Sequence, residues 1–403
     1  MKVALVHDYL NQYGGAERVL ESLLDIFPGA HIYTLLYSPE RTSLLFQGKV
    51  YKTSILDFPL ARRKHRLFIP FMPAAVRSIG IRTDYDLIVS DSAGYAKGVS
   101  HKGHTFHLAY CYTPLRYAWE IDNYFSNPVF RTFFGPAFAY LRRWDLKAAQ
   151  KPDALLAVSG FIAQKIQRNY GRTARVLYPP VDYRKFYFDA SLQPSPEIQE
   201  YYLAAGRLIH YKRFALLVEA FLEMGLNLWI VGTGPEKSRL RSLAAGARNI
   251  RFVDFVSDAE LHALYSGARA FLFPQVEDFG LVSAEAQACG TPVISFAQGG
   301  ALEIVLDGRT GIFFEEQSVP CIVEAVRRFE HTIFDREGIS RLSRRFSSEQ
   351  FRAGILQALP SEVRAKYDAE CSREFPTVDM QAEMRREAQA VNSPARQRGV
   401  QVR

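Results

Sequence analysis

The stretch EDFGLVSAEAQACGTPVI, residues 277–294, decides how the C-terminal half of this chain folds. It follows the apolar run AFLFPQ at 270–275, turns at Phe-Gly-Leu and continues as a helical pattern from Ser283. A strand, a glycine turn and a helix in this order place backbone N–H groups at a helix N-terminus, where anions bind. Glu277 and Glu285 stand eight positions apart across this turn, so both carboxylates could accept hydrogen bonds from sugar hydroxyls.

Working outward from this stretch, short apolar runs alternate with amphipathic helical stretches along most of the chain. This alternation is typical of parallel α/β units, and two such series predict two Rossmann-like domains that face each other across a cleft. The predicted strands of the first series are 3–9, 87–92, 107–113 and 154–159, and those of the second are 201–207, 227–232, 250–255, 270–275 and 291–296. The predicted helices include 17–26, 156–170, 213–224, 258–266 and 283–289.

A proline-rich polar segment separates the two series. Pro179 and Pro180 impose extended backbone, and Pro194 and Pro196 lie in a stretch without apolar periodicity. We therefore predict an N-terminal domain over 1–185 and a C-terminal domain over 186–350. A helix over 351–371 could pack back on the N-terminal domain, and the polar residues 372–403 are expected to form a disordered tail.

The charge of the chain is concentrated in its first half. The whole sequence carries a net charge of +8, but residues 1–182 contain 23 Lys and Arg against 14 Asp and Glu. This excess indicates an anionic partner for the first half, such as a phosphorylated substrate, an anionic lipid or nucleic acid, although a merely basic surface would look the same. The N-terminus MKVALVHDYL predicts a buried strand rather than a signal peptide. The four widely spaced cysteines predict neither a zinc site nor disulfides, so we expect a reducing, cytoplasmic environment.

The spacing of Glu277 and Glu285 resembles the EX7E motif of glycosyltransferase family 4, whose members have the GT-B fold and retain anomeric configuration. Upstream, AAGRLIHYKRF (204–214) resembles the family segment in which Arg207 and Lys212 would grip the donor diphosphate. Positive charge is needed there because a leaving diphosphate gains charge as the glycosidic bond breaks. Without this context, cations in a loop would be taken as solvated surface residues.

Two glycine turns extend the resemblance. HDYLNQYGGAERVL (7–20) matches the family loop beside the donor phosphates, and WIVGTGPEKSRL (229–240) matches its strand–GxGP–helix unit, although either turn could be a simple strand–helix connection. The resemblance thus implies a set of donor-binding residues: Gly14, Gly15, Gly206, Arg207, Lys212, Gly232, Gly234, Glu277, Phe279, Gly280, Leu281 and Glu285.

A more detailed likeness lies in YDLIVSDSAGYAKGV (85–99) and AYCYTPLRYAWE (109–120). These segments resemble bacterial mannosyltransferases that use GDP-mannose to build O-antigen or exopolysaccharide on a polyprenyl diphosphate carrier. The family has a histidine that contacts the donor sugar where this chain has Tyr112. A tyrosine hydroxyl with a pKa of about 10 is a poor proton shuttle near neutral pH.

The resemblance implies transfer of α-mannose, with retention, to a polyprenyl-diphosphate-linked glycan. The catalytic set is predicted to be Arg207, Lys212, Glu277, Asp8 and Tyr112. Glu277 would hold the sugar and Glu285 the ribose, while Asp8, after the first strand, would orient the acceptor or simply form a turn. The family needs no bound metal, so we expect no metal and no cofactor beyond the nucleotide sugar.

A basic and apolar segment, FPLARRKHRLFIPFMPAAVRSI (58–79), predicts contact with an anionic membrane, and FRTFFGPAFAYLRRW (130–144) repeats the mixture. The alternative is that the apolar side chains are core. The predicted acceptor and membrane residues are Arg62, Arg63, Lys64, Arg66, Phe68, Arg116 and Trp119. Because no run of about 18 apolar residues occurs, we expect a protein held peripherally on the inner face of the plasma membrane.

Other functions remain open at this point. A UDP-sugar could replace GDP-mannose, and the enzyme could be another GT-B glycosyltransferase or an epimerase. An inactive GT-B scaffold is conceivable because of Tyr112. A nucleic-acid-binding protein is disfavoured, since basic charge alone supports it and no zinc spacing or aromatic RNA-binding strand is present.

Overall fold

A computed structural model describes residues 1–81, 84–103, 105–121, 134–193 and 201–374. Residues 2–358 form one compact unit that contains both sheets described below. Met1 and the residues from 359 onward form a second unit, in which the N-terminal ammonium lies 2.6 Å from the carboxylate of Glu370. In the described part of the chain, none of the helices has both the length and the apolar character needed to cross a bilayer.

The N-terminal lobe contains a parallel sheet of seven strands among the described residues, in the order β3-β2-β1-β4-β5-β6-β7. Its central strands are buried on both faces, so they consist of near-continuous apolar runs. The strands are β1 Val3–Leu10, β2 His31–Tyr37, β3 Val50–Thr53, β4 Leu87–Ser92, β5 Phe106–Cys111, β6 Ala154–Ala157 and β7 Arg175–Val176.

The C-terminal lobe contains a second parallel sheet, with six strands among the described residues in the order β10-β9-β8-β11-β12-β13. The strand order reverses direction beside β8, and ligands of such sheets bind outside the carboxyl ends of the strands near this point. The strands are β8 Tyr202–Ala205, β9 Leu228–Val231, β10 Ile250–Val253, β11 Phe271–Phe273, β12 Val293–Phe296 and β13 Gly311–Phe314.

Helices connect the parallel strands and cover both sheets. Those of the first lobe are α1 Gly15–Ile26, α2 Pro59–Arg63, α3 Met72–Ile79, α4 Arg116–Trp119, α5 Gly135–Ala148 and α6 Gly160–Tyr170. Those of the second lobe and of the C-terminal segment are α7 Phe214–Met224, α8 Lys237–Leu243, α9 Asp258–Gly267, α10 Leu281–Ala288, α11 Ala301–Ile304, α12 Val319–Glu330, α13 Arg336–Ser343, α14 Ser348–Gln357 and α15 Ser361–Glu374.

Each lobe has its own apolar core. In the first lobe, β1 and β4 contribute Val6 and Ile88, which pack with Val76 of α3. In the second, Phe221 of α7 packs with Ile230 and Ile294 of the sheet. Amphipathic helices that bury one face against a parallel sheet in this way account for the alternating pattern of the sequence.

Two α/β lobes with parallel sheets confirm the predicted fold class. The strands β2, β3, β7 and β13 are not among the predicted strands, and they occur at or next to the edges of the two sheets. The first sheet ends at Val176 and the second begins at Tyr202, while the boundary at 185 stays a prediction.

The predicted single helix over 351–371 is wrong. Two helices, α14 and α15, occupy this region, and the break falls at Pro360, which disfavours a helical conformation in the residue before it. Helix α14 does contact the first lobe: the ring of Phe351 lies 5.4 Å from that of Tyr110 on β5. The predicted tail begins within α15, and residues 375–403 lie outside the described part of the chain.

Candidate active site

Lys212 and Glu277 form the centre of the candidate site. Lys212 ends a short 3-10 turn, His210–Lys212, that follows β8, and Glu277 follows β11, so the two parallel strands deliver both side chains to one edge of the sheet. The Lys212 ammonium lies 2.9 Å from Oε1 of Glu277, and both side chains are mostly buried. Gly206 leaves room for the ammonium, because a Cβ there would lie 3.4 Å from Nζ.

Oε1 of Glu277 retains the capacity to accept a hydrogen bond. It is buried, and among the described residues no donor approaches it with hydrogen-bond geometry, although the ammonium is close enough for an ion pair. A buried carboxylate oxygen without a donor is costly, so such atoms in native proteins need an explanation. A ligand hydroxyl would satisfy this oxygen.

Arg207 lies at the same edge and is exposed. In the described part of the chain no acidic side chain pairs with it. Burial lowers the pKa of His65, and the charges of Arg66 and Arg207 lower it further. Arg207 of the second lobe is therefore near enough to the 65–66 segment of the first lobe to act on His65 electrostatically.

The 277–280 loop is fixed by close backbone packing. Gly280 has φ +106°, and a Cβ at this position would lie 2.8 Å from the ring of Phe273. Behind the loop, the N–H of Gly300 donates to the carbonyl of Glu277 at 2.9 Å, and a Cβ on Gly300 would lie 2.4 Å from the α-carbon of Phe279. Gly300 is therefore a site residue that the sequence analysis missed.

Phe279 contributes to packing through its side chain. Its ring is buried and lies 5.7 Å from that of Tyr178 and 5.4 Å from that of Phe346. Any donor contact by Phe279, as predicted, would be made by its backbone, together with Gly280 and the N-terminal residue of α10, Leu281.

The glycine turn of the first lobe meets this helix start. Gly14 caps α1, and a Cβ on Gly15 would lie 3.7 Å from Cδ2 of Leu281. Two helix N-termini, those of α1 and α10, thus converge at the boundary between the lobes, and each favours a bound anion. Gly14, Gly15 and Leu281 thus lie close together, and their binding of a diphosphate stays a prediction.

Gly232 and Gly234 are required by packing. A Cβ on Gly232 would lie 2.0 Å from the carbonyl oxygen of Gly206, and one on Gly234 would lie 2.2 Å from that of Leu208. The two glycines let the 232–234 turn press against the backbone that carries Arg207. Their effect on a donor would be indirect.

Glu285 contacts the first lobe. Nη1 of Arg18 donates to its Oε1 at 2.8 Å, and the hydroxyl of Tyr265 lies 3.4 Å from its Oε2. Nη2 of Arg18 also bonds Asp258 at 2.6 Å. Burial raises the pKa of Glu285 to about 7, against the lowering effect of Arg18. The predicted ribose contact would have to share this carboxylate with Arg18, a residue the sequence analysis did not select.

Asp8 does not follow the first strand, as predicted, but lies within β1. Its buried carboxylate accepts the N–H groups of Ala93, Tyr95 and Ala96 at 2.6–2.8 Å. Ser92 Oγ adds a weaker contact at 3.3 Å. These bonds occupy the carboxylate in holding the turn after β4, and the role of Asp8 toward an acceptor stays a prediction.

The side chain of Tyr112 makes its contacts within its own lobe, the first. Its hydroxyl lies 2.9 Å from Oδ2 of Asp91, which also lies 2.7 Å from Nδ1 of His7. The same hydroxyl is 3.2 Å from the carbonyl oxygen of Ala16, next to the glycine turn. Burial raises the pKa of Tyr112 well above its ordinary value, which disfavours proton transfer by its hydroxyl, and the contact with Ala16 indicates support of the glycine turn; its catalytic role stays a prediction.

The predicted membrane and acceptor residues divide into two groups. Arg63, Lys64 and Arg66 are exposed, and so are the neighbouring apolar side chains of Leu67 and Phe71. We call this group the basic–apolar patch.

The other members of the predicted set are engaged within the protein. Arg62 is bound to Asp57 at 2.7 Å, and Phe68 packs on Phe58 with the ring centroids 5.3 Å apart. Arg116 pairs with Asp278, and the indole N–H of Trp119 donates to buried Asp145 at 2.8 Å. These four side chains have partners within the protein, and their contact with an acceptor or a membrane stays a prediction. In the second predicted segment, residues 130–133 lie outside the described residues, and Tyr140 is half exposed.

Each of the two lobes matches a model of a known protein family. The family model described as "Glycosyltransferase Family 4" matches residues 13–185, and that described as "Glycosyl transferases group 1" matches residues 190–344. Each lobe is therefore similar to a domain family of glycosyltransferases, and the match of the first lobe agrees with the resemblance found in the sequence.

Relatives and solved structures are similar to parts of the chain or to its fold. A GDP-mannose-dependent alpha-(1-6)-phosphatidylinositol monomannoside mannosyltransferase of Mycolicibacterium smegmatis is 30% identical over 200 residues, which are 43% of this chain and 52% of that protein. Glycogen synthase of Thermus thermophilus is 32% identical over 151 residues, 36% of this chain and 35% of that protein. The chain thus spans about a third to a half of the length of these relatives. The structure of Anabaena HepE in complex with UDP has a TM-score of 0.65 at 17% identity, covering 89% of this chain and 99% of that one.

Proposed function

We propose that this protein is a retaining hexosyltransferase that binds a nucleotide-diphosphate sugar between its lobes. The observation that carries the proposal is the Lys212–Glu277 pair, in which the ammonium lies 2.9 Å from the buried Oε1 without hydrogen-bond geometry. Helix α10 begins four residues after Glu277, and Arg207, which pairs with no acidic side chain among the described residues, follows the same strand as Lys212. Cations and helix N-termini suit a diphosphate, and the carboxylate suits sugar hydroxyls.

The proposed donor is GDP-mannose, and the sugar transferred is α-mannose. Support comes from the likeness of residues 85–120 to mannosyltransferases and from the partial match to the GDP-mannose-dependent enzyme of M. smegmatis. A UDP-linked sugar is the second candidate, because the Lys212–Glu277 pair would bind the sugar and diphosphate of either donor.

In the proposed mechanism the acceptor hydroxyl attacks C1 of the sugar from the face that the diphosphate leaves. The bond from C1 to the phosphate oxygen breaks with its electron pair on that oxygen, which takes the hydroxyl proton. Arg207, Lys212 and the N–H groups at the two helix N-termini would stabilise the departing nucleoside diphosphate. Glu277 would hold the sugar hydroxyls, so electrostatic stabilisation is the main source of rate enhancement.

The proposed acceptor is a polyprenyl-diphosphate-linked glycan at the cytoplasmic face of the plasma membrane, in surface polysaccharide synthesis. The basic–apolar patch supports this, because its cations suit anionic lipid headgroups and Leu67 and Phe71 suit shallow burial. The charge of Arg207 acts on His65 in the same segment, which would place the donor diphosphate near an acceptor delivered there. We propose that no bound metal or organic cofactor takes part, since Arg207 and Lys212 supply positive charge.

A thermal-shift screen with nucleotide sugars tests the donor proposal. A ligand that binds only the folded protein at about 100 times its dissociation constant adds about 2.7 kcal/mol of stability, so GDP-mannose should raise the melting temperature by several degrees. UDP-glucose, UDP-galactose and ADP-glucose serve as matched comparisons. A shift with a UDP-sugar alone would reject GDP-mannose, and no shift with any of them would reject the proposed enzyme.

Turnover assays separate the remaining candidates. A transferase should release nucleoside diphosphate in proportion to a lipid-linked acceptor and should keep its rate in EDTA. Epimerisation of the donor without acceptor would indicate an epimerase instead. Donor binding without release of nucleoside diphosphate under any condition would indicate an inactive scaffold, and salt-sensitive binding to random duplex would indicate a nucleic-acid-binding protein.

A further inference from the structure

Asp278, the residue after Glu277, is held by two cations of the other lobe. Its Oδ2 pairs with Arg116 at the start of α4, and its Oδ1 lies 3.2 Å from Nζ of Lys165 on α6. The side chain of Asp278 is 13% exposed, so the pairing takes place largely out of water. Lys165 is shared with Glu120, 2.5 Å away. The acid belongs to the second lobe and both cations belong to the first.

The start of α6 is bound by the same region of the second lobe. Ser159 caps this helix by accepting the N–H of Ile162 at 3.1 Å, and its hydroxyl donates to the backbone carbonyl of Asp278 at 2.5 Å. The first two N–H groups of α6, those of Gly160 and Phe161, are accepted by the carboxylate of Glu303 at 2.8 and 3.1 Å. A carboxylate there satisfies orphan donors and complements the helix dipole.

Asp278 and Glu303, the two acidic residues of these contacts, are connected to Glu277 through the backbone. Helix α11, which carries Glu303, begins directly after Gly300. Gly300 packs against the 277–280 loop, and its N–H donates to the carbonyl of Glu277. The loop therefore has the first lobe on one side and the 299–303 segment on the other. Glu277 is the residue directly before Asp278, which makes the ion pairs between the lobes. The partner of Glu277, Lys212, lies in the same lobe as Glu277.

We propose that Asp278 is a positioning residue that couples approach of the two lobes to the placement of Glu277. When the lobes are together, Arg116 and Lys165 fix Asp278 and hold the Glu277 carboxylate beside Lys212; when they part, the loop loses these cations and the carboxylate loses its fixed position. The inference rests on the proposed function, because it takes Glu277 as the group that holds the donor sugar. Asp278 itself does not touch the substrate.

Steady-state kinetics of Asp278→Asn test the coupling. The variant keeps the shape of the side chain and removes its charge, so kcat should fall about 10- to 100-fold, the loss expected when a reacting geometry is displaced by about 1 Å. The KM for the donor should change less than about threefold, because Arg207, Lys212 and the helix N-termini remain. Asp278→Glu, which keeps the charge, should recover most of the lost rate.

A double-mutant cycle assigns the loss to the cross-lobe pair. Arg116→Gln should lower kcat in the same direction, and Asp278→Asn combined with Arg116→Gln should be about as slow as the slower single variant, because both remove one interaction. Glu330→Gln is the matched control: Glu330 pairs with Arg269 at 2.7 Å within the second lobe and should leave kcat unchanged. If Asp278→Asn fails to fold, Arg116→Gln combined with Lys165→Gln removes the same pairing from the other lobe.

Small-angle scattering of the unliganded protein gives a readout that does not depend on activity. Asp278→Asn should increase the radius of gyration relative to wild type, and Glu330→Gln should not. Three results would each overturn the coupling. They are a wild-type kcat in Asp278→Asn, a loss in the double variant that equals the product of the two single losses, and an unchanged radius of gyration. A different pair of results would refute the proposed function alone: wild type binds no nucleotide sugar, but the radius of gyration still rises in Asp278→Asn. The ion pair would then hold the lobes together without any role in catalysis.

Discussion

Replacing Arg18 by Gln should destabilise the protein in a manner that depends strongly on pH. Glu285 is buried, and its pKa of about 7 in the folded protein lies well above the value of 4.5 for a free glutamate. At about 1.4 kcal/mol per pKa unit, keeping it charged in the fold costs about 3 kcal/mol even with Arg18 beside it. Removing one partner of a buried pair costs about 3–5 kcal/mol, and since Arg18 is 23% exposed we expect about 2–4 kcal/mol.

The sign of the pH dependence follows from the raised pKa. Because folded Glu285 holds its proton more tightly than the unfolded chain does, stability falls as pH rises from about 4.5 through about 7. Arg18 opposes this loss by stabilising the charged form, so in Arg18→Gln the pKa of Glu285 should rise further and the loss should extend to higher pH. At pH 5 Glu285 is mostly protonated in both proteins, so the difference between them should shrink to the contribution of the partly exposed Arg18–Asp258 ion pair, which is about 1 kcal/mol or less.

Melting temperatures measured from pH 5 to pH 9 test this reasoning. The difference between wild type and Arg18→Gln should be small at pH 5 and grow to about 5–10 °C at pH 9, where a pKa of Glu285 raised above 9 costs about 2.7 kcal/mol more than one of about 7. In a Glu285→Gln background the same substitution should have a smaller effect that does not vary with pH. An equal loss at pH 5 and pH 9, or an undiminished loss in the Glu285→Gln background, would refute the buried-pair interpretation.

Further predictions concern the loop, the sugar contact and the membrane. Glu277→Gln should lower kcat about 100- to 1,000-fold with the melting temperature within a few degrees of wild type, and near-normal turnover would rule out its assigned contact. Gly300→Ala should lower the melting temperature by several degrees, since its Cβ would collide with the 277–280 loop at 2.4 Å and overpacking costs about 1–3 kcal/mol; a wild-type melting temperature would mean that the loop can shift. Alanine at three exposed positions should weaken sedimentation with anionic liposomes at least tenfold, whereas unchanged binding would remove the patch from the membrane proposal. These positions are Arg63, Lys64 and Arg66.

The fold was predictable because its signals are local. Apolar runs such as 87–92 and 270–275 are bounded by turn residues and buried on both faces, which is typical of parallel strands. The edge strand β7 was missed for the opposite reason, whereas the edge strand β10 was predicted. β7 has only two residues and a partly exposed pattern, so its sequence carries almost no periodicity.

The centre of the site was also predictable, because Lys212 and Glu277 belong to one lobe and follow strands whose ends must meet. The contacts between lobes could not be predicted in this way. Arg18 and Glu285 are 267 positions apart, and Arg116 and Asp278 are 162 apart, so no spacing or pattern relates them. Likewise, nothing in the local sequence distinguishes Asp8, which holds a turn, from a carboxylate that faces a ligand.

The N-terminus of α6 is capped by the other lobe, so its amide protons offer a way to detect separation of the lobes. Its first two amide protons are protected by Glu303, which the other lobe supplies, rather than by a residue of the helix's own domain. If the lobes separate as proposed, these two N–H groups lose their acceptor and become exposed to solvent. Deuterium uptake at Gly160 and Phe161 would then report how often the lobes open, independently of any assay of activity.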